Sequence, residues 1–346
     1  MRKTHAKLCA RDAQICKALT DAEIFADLFN GSIFRGEQVI APEQLVRCGE
    51  KQTVQVKAGS DSVRDLQRIR DVKMQMRCLD DTGNQEAILA VEAQREIHYG
   101  MPVRSLLYDG IDYSDQMQRR EKYNKNIHNL KTSAEFMSGM TEKDRLVPVL
   151  TLVLYYGEQK NWMKPKDLHD MLDFTDKLMP WKKEFPNYAL HLVSSDTVDA
   201  RNFKTGLREV FELLKVCHDR KLLNKVLKEN KNHYSHLSRE RTELVSIFLD
   251  IPVLREKQNE GEEGAVNMCT AIEEMVRDGE QRGEKRGEKR GEKRGEKRGE
   301  QRGEKRGEQR SLQLVRRLLE KNRIEDILRM TEDEEFRKQL FHEDGL

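Results

Sequence analysis

The stretch "AILAVEAQREI", residues 87 to 97, places two polar side chains, Glu92 and Gln94, in a run whose Ile88, Leu89 and Val91 mark a mostly buried strand. Residues two apart on a strand face the same way, so Glu92 and Gln94 project together. Upstream lies "RIRDVKMQMRCL", a second strand-like run joined to the first by the turn signal "DDTGNQ". A turn centred on Asp81-Thr82 opposes Asp71 to Glu92. One centred on Thr82-Gly83 opposes Asp71 to Gln94 and Lys73 to Glu92. Either register puts Asp71, Glu92 and Gln94 on one face, unless a bulge or a three-residue loop intervenes.

Two carboxylates opposed across a hairpin repel each other unless a proton, a basic side chain or a metal ion relieves them. Hard oxygen ligands in that arrangement suit Mg²⁺, which takes one or two carboxylates and fills its shell with water and substrate phosphate. Such a centre can activate water and stabilise charge on a phosphodiester transition state. By spacing alone, the same residues also read as the wet face of a half-exposed hairpin.

Stepping along the chain, "TDAEIFADLFNGSIF" offers Thr20 and Asp21 as helix caps, with Ile24, Phe25, Leu28 and Phe29 at helical spacing and Asn30-Gly31 as a stop. "KQTVQVKAGSDS" reads as a ragged strand or loop. "MPVRSLLYDGIDYSDQMQRREKYN" predicts a long helix after Pro102, weakened in its middle by Gly110. "LVPVLTLVLYYG" is continuous enough for a central strand buried on both faces, and "NYALHLV" for a shorter one. From about Val198 to Arg255 the pattern is helical and amphipathic.

The series "ADLFN", "RDVKM", "AILAVEAQREIHYGMPVRSLLYDGIDY" and "VPVLTLVLYYGEQKNWMKPKDLHDML" resembles the recombination-promoting nuclease/transposase family of the PD-(D/E)XK nuclease superfamily, over roughly Leu19 to Arg255. The resemblance implies an α/β, restriction-endonuclease-like fold: a mixed central sheet of four strands flanked by helices. It implies a Mg²⁺-dependent DNA endonuclease, with Mn²⁺ as a substitute, linked to recombination or transposition. Asp71 and Glu92 would hold the metal with the Ala93 carbonyl, and Asp27, or less favourably Glu23, would be the helix acid. Gln94 stands where the family pattern has Lys. A glutamine can orient a water but supplies no charge, so Lys73 is the candidate to restore it. Arg104, Tyr108 and Tyr113 are candidate DNA or supporting contacts, with Tyr108 also suited to packing the helix on the sheet. Tyr155, Tyr156 and Trp162 read as core and turn packing. The alternative function is a non-cleaving DNA-binding or self-associating scaffold that keeps the fold.

Charged residues make up 36% of the chain and mean hydropathy is -0.82, too polar for one globule throughout. Formal net charge is +2, yet the eight GEKR or GEQR units from Gly279 to Arg310 alone carry +5, so no global positive field draws the protein to nucleic acid. The six cysteines show no CxxC pair and the chain has no apolar run of membrane-span length, which predicts a cytoplasmic protein with reduced thiols. The expected organisation is an N-terminal extension (1–18), the nuclease-like domain (19–255), a linker (256–278), the repeat (279–310) and a C-terminal helical module (311–346). The repeat pairs Lys with Glu at i, i+3 but stacks like charges at i, i+4 around a glycine in every unit, which predicts a solvated, marginally helical or disordered spacer. The terminal helices carry "LQLVRRLL" and "IEDILRM", candidates for association with a second copy.

Overall fold

A computed structural model describes residues 11–48, 51–57, 63–79, 84–157, 162–251, 254 and 268–346. The chain divides into two compact units, Met1–Ala271 and Ile272–Leu346. In the first unit, the elements in order are α1 (residues 11–18), α2 (Ala22–Ser32), β1 (Leu45–Arg47), β2 (Lys51–Lys57), β3 (Val63–Ile69), β4 (Val72–Arg77), β5 (Gln85–Gln94), α3 (Met101–Asn126), α4 (Ser133–Ser138), β6 (Val149–Tyr155), β7 (His191–Val193), α5 (Leu207–Val216), α6 (Arg220–Glu229), α7 (Lys231–Tyr234) and α8 (Arg239–Leu249).

Five strands form a mixed sheet in the order β1-β4-β5-β6-β7, and β2-β3 form a separate two-stranded hairpin. The β1-β4-β5 half is antiparallel; β5, β6 and β7 run parallel. The α/β class and the flanking helices agree with the sequence reading, and the sheet has five strands rather than four. Alternation sorts β5 cleanly: Leu89 and Val91 point one way, opposite Met74 and Val72, while Ala90, Glu92 and Gln94 point the other way beside Thr151, Val153 and Tyr155 of β6. Val91, Leu152 and Val153 are fully buried, and burial of side chains of this size stabilises by about 1.5–3 kcal/mol each.

Local chemistry explains the helices that frame this sheet. Asp21 caps α2, accepting from the Glu23 and Ile24 N–H groups at 2.9 and 3.2 Å. Gly31 does not stop α2: it lies inside the helix, where a Cβ would come within 2.4 Å of the Phe203 ring. Pro102 sits in the first turn of α3, where its missing N–H costs nothing, and Gly110 lies on the exposed side with open space around it. Residues 11–18, placed by the sequence in an extension, pack onto the domain: Ile15 is fully buried, and Asp12 accepts a 2.7 Å hydrogen bond from the Tyr156 hydroxyl.

The run "RIRDVKMQMRCL" is not one strand. It breaks at Arg70-Asp71, between β3 and β4. Arg70 is completely buried and donates to Thr151 Oγ1 at 2.6 Å, Asp109 Oδ1 at 2.8 Å and Asp112 Oδ2 at 3.0 Å. Thr151 and the Tyr188 hydroxyl also donate to Asp109, at 2.6 and 2.5 Å. This network joins β6, the β3–β4 bend and α3 in one buried polar layer, and pulling the guanidinium inward ends the strand. The turn "DDTGNQ" spans residues 80–85, of which 80–83 lie outside the described residues, but the ladder decides the register: Val72 pairs with Val91 and Lys73 with Ala90, the pairing that opposes Asp71 to Glu92, with a bulge between Met76 and Arg77.

The second unit holds α9 (Met268–Glu320) from Ile272 onward, then α10 (Ile324–Glu332) and α11 (Glu334–Glu343). Leu314, Leu318, Met330 and Leu340 form its core. The repeat, read from its charge pattern as a solvated, marginally helical or disordered spacer, lies within a continuous helix; helix on both sides spares it the cost of its own nucleation. Its glycines from Gly287 to Gly307 meet nothing within 4 Å. Among the described residues no helix is long and apolar enough to cross a membrane, and none of Cys16, Cys48, Cys78 and Cys217 forms a disulfide.

Replacing Arg70 with Met should destabilise the domain by on the order of 3–5 kcal/mol, because Asp109 and Asp112 stay buried after their shared cation is gone. Urea unfolding of the two proteins measures this directly. A loss below about 1 kcal/mol would show that the network is not what seats α3 on the sheet.

Candidate metal centre

At the carboxyl end of β5 the ladder sets Asp71 opposite Glu92. Asp71 lies just before β4, and its Oδ2 accepts from the Ala93 N–H at 2.9 Å, so the carboxylate is fastened beside Glu92 by the strand backbone. Glu92 is fully buried, and among the described residues neither of its carboxylate oxygens has a hydrogen-bond partner. The first turn of α3 brings Arg104 to 3.0 Å from Glu92 Oε2 as an ion pair without hydrogen-bond alignment. Burial and then the Asp71 charge push the Glu92 carboxyl up to about 8 against the pull of Arg104. Without another cation, Glu92 is largely protonated near neutral pH.

Arg104 is itself positioned. Its Nε donates to the Tyr108 hydroxyl at 3.1 Å, and its guanidinium lies 5.4 Å from the Tyr108 ring centre, with the Arg70 guanidinium 5.2 Å from the same ring. Tyr108 is buried, so it both packs the helix and separates two cations. The sequence made Arg104 a candidate DNA or supporting contact, and the structure pairs it with Glu92. The signal was its place in the first turn of the helix that follows β5.

Other predicted site residues have different occupations. Lys73 shares the face of Glu92 but opposes Ala90, and its Nζ is held by Asp112, so it does not supply the charge missing at Gln94. Asp27 is buried, and its oxygens accept from the Lys204 N–H at 2.9 and 3.1 Å, the Thr205 N–H at 2.8 Å and the Thr205 hydroxyl at 2.6 Å. It ties α2 to the chain just before α5 rather than facing Asp71. Glu23 is exposed in the first turn of α2. Tyr113 accepts from the Val149 N–H at 3.1 Å and so anchors the start of β6. Tyr155 meets Trp162 edge-on in the core, as expected of packing residues.

Gln94 is half-buried at the last position of β5, and its carbonyl accepts from Tyr156 N–H at 3.1 Å. The β5 and β6 ends meet closely there: a Cβ on Gly157 would fall 1.9 Å from the Arg95 carbonyl oxygen, so only glycine fits. Among the described residues no group of three or more His, Cys, Asp or Glu side chains is placed to hold a metal ion. The two-carboxylate set of Asp71 and Glu92, with the Ala93 carbonyl one residue on, matches the sparse protein ligation typical of Mg²⁺, and the two orphaned buried oxygens of Glu92 fit a cation.

The raised carboxyl fixes a pH dependence. Folded Glu92 titrates near 8 and an unfolded glutamate near 4.5, so between those values only the unfolded chain loses its proton and stability falls as pH rises. Glu92→Gln removes this penalty. The metal-free variant should match wild type below about pH 5 and exceed it by several kcal/mol, roughly, at pH 8 and above. Thermal unfolding across that range checks it; a gap independent of pH would show that Glu92 is ionised throughout.

No family model, curated protein or solved structure matched the chain.

Proposed function

We propose that the chain is a metal-dependent DNA endonuclease with a restriction-endonuclease-like fold of the PD-(D/E)XK type, hydrolysing phosphodiester bonds in the service of recombination or transposition. The observation that carries this reading is the fully buried Glu92, with both oxygens unsatisfied, opposed to Asp71 at the carboxyl end of a central strand. A carboxylate is not retained in such surroundings for stability, and ligand sites in open α/β sheets gather at strand carboxyl ends.

Asp71, Glu92 and the Ala93 carbonyl would hold Mg²⁺ or Mn²⁺. Bound there, the metal supplies Lewis-acid stabilisation of the phosphodiester and an acidified water. Gln94, on the same face as Glu92, orients the attacking water through its amide and adds no charge. Arg104 can move from Glu92 to a phosphate oxygen, since a guanidinium matches either anion. Tyr108 keeps it within reach through the 3.1 Å bond to Nε.

The Arg104–Glu92 contact also favours a second reading, a non-cleaving DNA binder in which the arginine permanently replaces the metal. In both readings the C-terminal helices serve self-association, with Leu312, Leu319 and Leu328 exposed.

Plasmid cleavage by wild type and Glu92→Ala with Mg²⁺, Mn²⁺ or EDTA separates the two. Nicking or linearisation that needs metal and falls by roughly a hundredfold or more in the variant supports the nuclease. Duplex binding in EDTA without cleavage under any metal, by a folded wild type, supports the binder.

A further inference from the structure

At the opposite end of β5 and α3 from Glu92 lies a cleft of about 460 Å³ whose lining includes Gln85, Arg119, Arg120, Tyr123 and Arg145. Three distant parts of the chain meet here: the first residue of β5, the later turns of α3 and the loop before β6. Three guanidiniums around one cleft repel each other unless anions lie between them. Asp115 pairs with Arg119 and Asp144 lies 3.5 Å from Arg120 Nε, so that repulsion is partly offset from outside the lining. Arg145 is fixed through one terminal nitrogen, which donates to the Glu142 and Asp144 carbonyls at 2.7 and 2.8 Å. Arg119 is 68% exposed at its side chain, open to an incoming ligand.

Gln85 supplies an independent observation. Its side-chain Nε2 is buried and, among the described residues, has no hydrogen-bond acceptor. Such a donor at the cleft wall costs about 1–3 kcal/mol. Among the described residues the cleft is lined by three guanidinium groups and no carboxylate, the donor set that recognises a phosphate.

We propose that this cleft is a phosphate-binding subsite whose occupant is a backbone phosphate of the DNA. That occupant rests on the nuclease reading, and the phosphate chemistry does not. Arg104 and Arg119 lie fifteen residues apart on α3, which at 1.5 Å per residue is about 22 Å, or roughly six or seven base pairs at 3.4 Å each. The two are also about 60° apart around the helix, at 100° per residue. One duplex laid along α3 reaches both places, and the subsite fixes its register without reading its sequence.

The test uses the full chain in EDTA, with fluorescence anisotropy of a labelled duplex long enough to span both places, a salt titration, and inorganic phosphate binding by calorimetry. Arg119→Ala and Arg145→Ala should each weaken duplex binding about tenfold, lower the salt slope by about one and abolish phosphate binding. Arg119 is exposed enough that its variant stays folded even if the Arg145 variant does not. Unchanged duplex affinity, salt slope and phosphate binding in folded Arg119→Ala overturn the proposal. Loss of phosphate binding with duplex binding intact overturns the DNA occupant in favour of a free phosphate. Cleavage fails or succeeds separately: duplex binding that depends on Arg119 in a protein that never cuts would leave the subsite standing and remove the nuclease.

Discussion

Asp109 and Asp112 are buried on the sheet-facing side of α3, and everything near the site depends on how they are neutralised. Arg70 serves both and Lys73 serves Asp112, while Thr151 and Tyr188 complete the bonding of Asp109. Charges buried in this way destabilise unless every one is paired, so the layer tolerates little displacement. Drawing Arg70 into it ends β3 and starts β4 two residues later. Asp71 is left at the bend, where its carboxylate takes the Ala93 N–H and stands opposite Glu92.

The polar layer therefore contains two kinds of carboxylate. Asp109 and Asp112 are satisfied by cations and hydroxyls and hold the helix. Glu92 has only the unaligned Arg104 at 3.0 Å, next to the like charge of Asp71, and its carboxyl rises to about 8. The first kind is structural and the second costs stability, which is the usual mark of a group kept for chemistry. Arg104 lowers that cost. Its pairing is partly exposed, with 30% of its side chain accessible, as displacement by the proposed metal ion would require.

Much of this was legible because strand periodicity is strict. The parity of residues 71, 92 and 94 placed Asp71 and Glu92 together in either candidate register, and the unbroken apolar runs marked β5 and β6. Legibility failed where side chains from distant segments compete for the same partner. Lys73 was assigned to the right face but not to Asp112, 39 residues on, and Asp27 was assigned to the site although Lys204 and Thr205 claim both of its oxygens. The break at Arg70 has no local turn signal because its cause lies in α3 and β6. The repeat read as no more than marginally helical for a related reason: its own charge pattern is poor for a helix, and its neighbours on both sides supply the continuity.

In the proposed function, Glu92 is held buried and unsatisfied to receive a divalent cation. Calorimetric titration of Mn²⁺ into wild type, Asp71→Asn and Glu92→Gln, at pH values on either side of 8, tests it most directly. A single ion should bind per chain, more tightly as pH rises and Glu92 gives up its proton, and be lost in both variants. Equal Mn²⁺ binding by wild type and Glu92→Gln, or no binding by folded wild type even above pH 8, would contradict it.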